Sequence, residues 1–313
     1  MIAQSAIRSI KAFTGTALLA LAGFLAGSCA QLPSGAPGSK EPRMFWTLTA
    51  PDGGTLYVQG TIHVGGDELY PIDPEVLDAL KSADLVLAEL SSGEMERSQS
   101  LVLERMANGI LDKGATLYDY LSPEESAFLE GVMTADLFKR LAPFQPWVAY
   151  SALDAIMAGK SGLDPAKGLD MELYSAASEL GKPVVGLESA AAQLDVLTGP
   201  PLSTQLLVLK DAIREYRAYP DALKALYDAF VRDDRKGMGR EVSASLTRTE
   251  TFSDELADFN HSLLGQRNVA WAERIVAVSK GKKAVFLFAG AAHFVGDGNV
   301  LDLLADRGYK TAR

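Results

Sequence analysis

The sequence predicts an α/β fold: a mixed, mostly parallel sheet covered by helices, with an N-terminal hairpin at one edge and helical insertions. Three observations carry this. Short apolar runs at Asp84–Leu90, Val184–Glu188 and Ala284–Ala289 alternate with longer stretches of helical spacing, the pattern of parallel strands joined by helical crossovers. Within those runs apolar residues are nearly continuous, as in strands buried on both faces. At the start of the body, two β-rich runs, Phe45–Ala50 and Thr55–Gly60, flank the turn residues Pro51-Asp52-Gly53-Gly54, which reads as a hairpin.

The remaining elements follow in order. Asp73-Pro74-Glu75 opens a helix with an Asx cap, proline at its first position and an acid in its first turn. Leu77, Leu80 and Ala83 give that helix a buried face. From Glu94 to Gly162 the spacing is helical, with a clear start at Ser122-Pro123-Glu124-Glu125 and apolar periodicity from Trp147 to Met157. Gly168-Leu169-Asp170 opens another helix, stopped at Gly181-Lys182-Pro183. A second helical block occupies Ser189 to Ser279, and its last member, Ser253–Ser279, contains His261, Arg267, Asn268 and Trp271. A final helix over Asn299–Asp306 and a short tail close the chain. The two helical blocks read as elaborations at the ends of the sheet, and no tandem repeat is visible.

Residues 1–28 read as a signal peptide: Arg8 and Lys11 precede an apolar stretch from Ala12 to Gly27. Cys29, the single cysteine, follows Leu25-Ala26-Gly27-Ser28, which looks like a lipobox whose thiol is lipidated. The alternative is a free thiol after an ordinary signal peptide, and such a thiol would be reactive in an oxidising compartment. Residues 29–43 then form a lipidated linker whose Pro33, Pro37 and Pro42 suit a tether, and residues 44–313 form the folded body. The expected location is the envelope, anchored on the periplasmic side of the outer membrane. The chain carries 30 Lys and Arg against 40 Asp and Glu, and losing Arg8 and Lys11 makes the body still more acidic. No basic cluster is present, so nucleic acid is excluded as a partner.

Two of the three histidines share one local context. Gly60-Thr61-Ile62-His63 ends the second strand of the hairpin, and Gly290-Ala291-Ala292-His293 ends the last long strand. Ligands of open α/β sheets bind at the carboxyl ends of strands. Two imidazoles and a carboxylate make a donor set for zinc, manganese or cobalt. Glu89 is the natural third donor, an acid closing an apolar strand, and Glu188 repeats the arrangement on another. Each is either a ligand, the base that activates water, or a cap for a neighbouring helix. Arg267 either pairs with Glu273 on a helix surface or points into the site to hold a substrate carbonyl or carboxylate. Asp170 reads as a first-turn acid facing the helix dipole or as a neighbour of the metal. His261 reads as exposed or structural, and Trp46, Trp147 and Trp271 as packing.

These motifs resemble, in their order, the TraB/GumN proteins: Gly60-Thr61-Ile62-His63, the strand ending at Glu89, Gly168-Leu169-Asp170, Gly181-Lys182-Pro183 through Glu188, Arg267-Asn268 and Gly290-Ala291-Ala292-His293. That family is similar to the Tiki proteins, metal-dependent proteases using manganese or cobalt, and is grouped with erythromycin esterases and haem-binding ChaN-like proteins. The resemblance implies a divalent metal at His63, Glu89 and His293, with Glu188 and Arg267 nearby. The expected activity is hydrolysis of a peptide or a small molecule. The alternative is an envelope protein that binds metal, haem or peptide without turnover.

Overall fold

The computed structural model describes residues 42–247 and 253–312; the leader and Cys29 lie outside them. Strands β1 (Phe45–Thr49) and β2 (Thr55–Thr61) form the predicted antiparallel hairpin. After helix α1 (Pro74–Ser82) come β3 (Leu85–Ala88) and the helices α2 (Ser92–Asn108), α3 (Pro123–Met133), α4 (Ala135–Leu141), α5 (Pro146–Lys160) and α6 (Leu169–Glu179). Strand β4 (Val184–Gly186) leads to α7 (Ala190–Thr198), α8 (Leu202–Ala218), α9 (Ala222–Val231), α10 (Arg235–Thr247), α11 (Asp254–Leu263) and α12 (Gly265–Ser279). Strand β5 (Ala284–Gly290), a 3-10 turn over Ala291–Phe294, α13 (Val300–Ala305) and β6 (Lys310–Thr311) complete the chain.

The six strands form one mixed sheet in the order β4-β3-β5-β2-β1-β6. Strand β5 runs parallel to both β2 and β3, and β4 runs parallel to β3. The hairpin lies toward one edge as expected, with a refinement. Its β2 strand is interior, and the tail supplies β6, which pairs antiparallel with β1 through Leu48↔Thr311. Five successive residues of β5, Val285 to Ala289, are buried. Successive side chains point to opposite faces, so both faces of the sheet are covered at its centre.

Capping chemistry places the helices where the sequence put them. Asp73 accepts the Glu75 N–H at 2.9 Å, and Ser122 and Glu125 form a reciprocal capping box; each such cap is worth about 1 kcal/mol. One expectation is corrected. The segment Ser253–Ser279 is two helices, α11 and α12, broken at Leu264 (φ −124°, ψ −60°). At Gly265 a Cβ would lie 2.3 Å from the ring of His261, so a larger residue there would require that exposed ring to move. The helical blocks also do more than decorate the sheet. Leu129, Phe138, Trp147, Leu153, Leu209, Ile213 and Phe259 belong to a second hydrophobic core, separate from the one around the sheet. Among the described residues no helix is long and apolar enough to cross a membrane.

Candidate functional site

The carboxyl ends of β2, β3 and β5 open into a cleft of about 380 Å³, and His63, Glu89, Arg267 and His293 all line it. Glu188 does not. It stands behind Arg267, outside the cleft wall.

His63 follows β2 and leaves its side chain 57% exposed. Its surroundings are set by Gly168. A Cβ there would lie 2.6 Å from the His63 carbonyl oxygen, so glycine lets the start of α6 press against the end of β2, where Leu169 N–H donates to Ile62 O at 3.0 Å. That approach delivers Asp170, whose Oδ2 accepts from His63 Nδ1 at 2.9 Å while Thr61 Oγ1 donates to its Oδ1. The carboxylate raises the proton affinity of the imidazole to a pKa of about 9, against the opposing cost of desolvation; solvent on the open face of the ring moderates this attraction. With Nδ1 committed, Nε2 is the free nitrogen.

His293 sits in the 3-10 turn after β5 and is 4% exposed. Its Nδ1 lies 2.6 Å from Asn268 Oδ1. The Asn268 Nδ2 donates to Gly298 O at 3.0 Å, which fixes the amide and makes its oxygen the acceptor. The imidazole therefore carries its hydrogen on Nδ1 and leaves Nε2 as the lone pair. Trp271 lies against the ring, centroid to centroid at 4.0 Å. Burial pushes the His293 pKa down to about 3, so the ring is neutral.

Between the corners lies an ion cluster. Arg267 donates through Nη2 to Glu89 Oε2 at 3.0 Å and to Glu188 Oε1 at 2.5 Å, and through Nε to Glu188 Oε2 at 3.1 Å. Its third arm donates to Leu263 O at 3.0 Å, and the guanidinium sits 4.9 Å from the Trp271 ring. Gln193 donates to Glu89 at 2.9 Å and to Glu188 at 3.2 Å, and Gly290 N–H donates to Glu89 Oε1 at 2.9 Å. Burial alone would raise the Glu89 pKa, but the neighbouring positive charge and the Gly290 N–H outweigh it and hold the carboxyl below its usual range. Because His293 is neutral, Arg267 and His63 supply that charge. Burial raises the Glu188 carboxyl instead, with Arg267 opposing.

Both alternatives for Arg267 are thereby resolved: it faces inward, but its donors are spent on the two glutamates rather than left open to a substrate. Asp170 is both the first-turn acid and the partner of His63. Among the described residues no three His, Cys, Asp or Glu side chains stand close enough to hold a metal as they are. Both Glu89 oxygens are taken by protein donors, Arg267 and Gln193 at one and Gly290 N–H at the other. The donor chemistry nonetheless fits a dication. Two imidazoles present Nε2 with Nδ1 anchored by a carboxylate or an amide, the arrangement that orients metal-bound histidines. Glu89, Asp154 and Asp170 line the cleft, and among the described residues Arg267 is the one Lys or Arg that does, with Glu188 paired to it from behind.

Sequence reasoning left three contributors without a role: Gln193, Asn268 and Thr61. Asn268 carried a signal, its place beside Arg267 in the Arg267-Asn268 motif. Gln193 carried none.

Residues 44–313 match the model of the TraB/PrgY/gumN family. An uncharacterised protein of Treponema pallidum (strain Nichols) is 30% identical over 277 residues, covering 86% of this chain and 82% of its own. The uncharacterised protein YbaP of Escherichia coli (strain K12) is 27% identical over 260 residues, covering 82% and 90%. The chain belongs to the TraB/PrgY/gumN family.

Proposed function

We propose that this member of the TraB/PrgY/gumN family is a lipid-anchored hydrolase of the cell envelope, acting on peptides with a divalent metal (manganese, cobalt or zinc) in its cleft. The observation that carries the reading is the matched pair of imidazoles, each with Nδ1 committed to a protein partner and Nε2 left for a ligand, which at His63 would take the place of a proton. His63 and His293 would hold the ion, with Glu89 beside them. A bound divalent ion supplies Lewis acidity, polarising a carbonyl and making a water more acidic.

The chain's own residues do the rest. Asp170 raises the basicity of His63, which strengthens it as a ligand by the same interaction that strengthens its hold on a proton. Asn268 orients His293, and burial keeps it neutral. Glu89 or Glu188 would relay the proton of the attacking water to the leaving amine, once an oxygen is released from Arg267 or Gln193. Arg267 and Gln193 hold Glu89 and Glu188 in place, and Glu188 neutralises the guanidinium from behind.

Metal analysis of the full chain, with peptidase assays on a quenched fluorescent peptide library, tests this. Wild type is expected to retain one divalent metal and cleave a subset of peptides, and His63→Ala and His293→Ala to lose both. Full metal occupancy and full activity in His63→Ala would sink the reading. The anchor is tested separately: wild type should fractionate with membranes, and Cys29→Ser should be released or left unprocessed. A second reading, capture of haem or peptide without turnover, is favoured by the commitment of both Glu89 oxygens to protein donors. A strong Soret band after purification with haem available would select it.

A further inference from the structure

Two glutamates share one guanidinium, and they hold it unequally. Glu188 meets Arg267 at two points, accepting from Nη2 at 2.5 Å and from Nε at 3.1 Å. Glu89 meets it at one, 3.0 Å from the same Nη2 that serves Glu188. The donor held in common is the one that ties Glu89, while the Nε contact belongs to Glu188. A two-point contact between guanidinium and carboxylate is the stronger kind. Position separates the two acids as well. Glu89 lines the cleft with His63 and His293, and Glu188 lies on the far side of the guanidinium.

The remaining contacts of the cluster are neutral. Arg267 Nη1 donates to the Leu263 carbonyl, and the Gln193 amide donates to both glutamates. The side chains of Arg267, Glu89 and Glu188 are 16%, 13% and 10% exposed, so stripping any of them of its counter-charge would be costly. Two arrangements avoid that cost. In the one seen, Arg267 serves both acids. In the other, Arg267 keeps Glu188 while a second cation takes Glu89. Only one oxygen of Glu89 is involved, because Oε1 is held separately by the Gly290 N–H at 2.9 Å.

We propose that Arg267 is a built-in counter-ion that Glu89 exchanges for a divalent cation in the cleft, and that Glu188 permits the exchange by keeping Arg267 paired. Glu188 is then a positioning residue, setting the affinity of the cleft for the ion without touching it. The proposal rests on the metal reading above. It reconciles two imidazoles oriented for a ligand with a carboxylate whose oxygens are both taken by protein donors.

Calorimetric titration of the full chain with zinc tests this in wild type, Glu188→Gln, Arg267→Gln and the double variant. Glu188→Gln should weaken zinc binding by about 10–100-fold, the usual range for a group that acts through a ligand, because Arg267 is then left to Glu89. In the Arg267→Gln background the same substitution should change affinity by no more than about twofold, since no guanidinium remains to be held. A direct bond from Glu188 to the ion, or a simple field effect of its charge, would weaken zinc equally in both backgrounds, and that result overturns the proposal. Zinc binding by wild type with such an additive cycle ends this proposal alone. No binding of zinc, manganese or cobalt by wild type ends the metal reading and this proposal together. A crystal structure of zinc-loaded wild type needs no variant to fold: Arg267 is expected on Glu188 with Glu89 Oε2 released, and Glu89 Oε2 still held by Arg267 would refute the exchange.

Discussion

The two Gly-x-x-His corners are near copies in sequence and opposites in chemistry. His63 is 57% exposed at its side chain and leans on a carboxylate; His293 is 4% exposed and leans on an amide. The first is driven toward its protonated form, the second away from it. A shared motif thus fixes where an imidazole stands and which nitrogen it presents. The partner reached from a distant helix decides how that nitrogen behaves.

The largest expected effect comes from removing the group that both corners feel. Arg267→Ala leaves Glu89 and Glu188 buried without their cation, and is expected to cost about 3–5 kcal/mol in denaturant unfolding. In whatever folds, both imidazoles should bind protons more tightly, because Arg267 lowers the proton affinity of each. Asn268→Asp gives His293 the kind of partner His63 has, and an adjacent carboxylate typically moves a pKa by about 1–3 units. Imidazole proton resonances followed through pH should show His293 titrating higher than in wild type; an unchanged His293 would break the comparison. Asp170→Asn is the reverse exchange. It should bring His63 down toward an ordinary imidazole and, on the proposed metal reading, weaken retention of a divalent ion by about 10–100-fold, the usual cost of losing a group that orients a ligand.

The smallest effect lies away from both corners and has a pH sign. The folded pKa of Asp154, raised by burial to about 6, stands above the ordinary carboxyl value of 3.8. The group therefore costs stability once ionised: its contribution is most favourable below pH 3.8 and is lost as pH rises through about 6. Asp154→Asn should be more stable than wild type above pH 6 by about 1–2 kcal/mol, after discounting for partial exposure. The gain should vanish below about pH 4. Thermal melts across that range would show it, and a variant less stable at pH 8 than at pH 4 relative to wild type would contradict it.

Much of this arrangement was legible in the sequence, and the rest was hidden for identifiable reasons. The apolar runs ending at Glu89, Glu188 and Gly290 announced strands because burial on both faces leaves no room for polar residues. The caps at Asp73 and Ser122 announced helices because their side chains satisfy particular N–H groups. The paired histidines pointed to one site because ligands collect at strand ends. What stayed hidden depended on long-range approach. Asp170 reaches His63 across 107 positions, and nothing local distinguishes a first-turn acid that faces solvent from one that faces an imidazole. Gln193 looks like an ordinary surface residue of α7 until Glu89 and Glu188 converge on it. Strand β6 has two polar residues and no alternation to detect. The break at Leu264 was signalled only by Gly265, and one glycine inside a helical pattern is weak punctuation.

The sheet order carries a consequence for how the molecule assembles. Without β5 the sheet is two separate pieces, the hairpin β1–β2 with β6, and the pair β3–β4; β5 joins them by lying between β2 and β3. It lies more than 220 residues after β2, since Thr55 pairs with Ala284. Closing so long a loop must precede the contacts that reward it, which makes such topologies slow to form. Until residues 284–290 arrive, β2 and β3 each present an unpaired parallel edge. A chain growing or threading from its N-terminus must therefore wait for almost its whole length before the sheet can close. Any truncation before Ala284 forfeits the join between the two halves along with the His293 corner. The helical core carries no such dependence on β5, and can condense while the sheet waits.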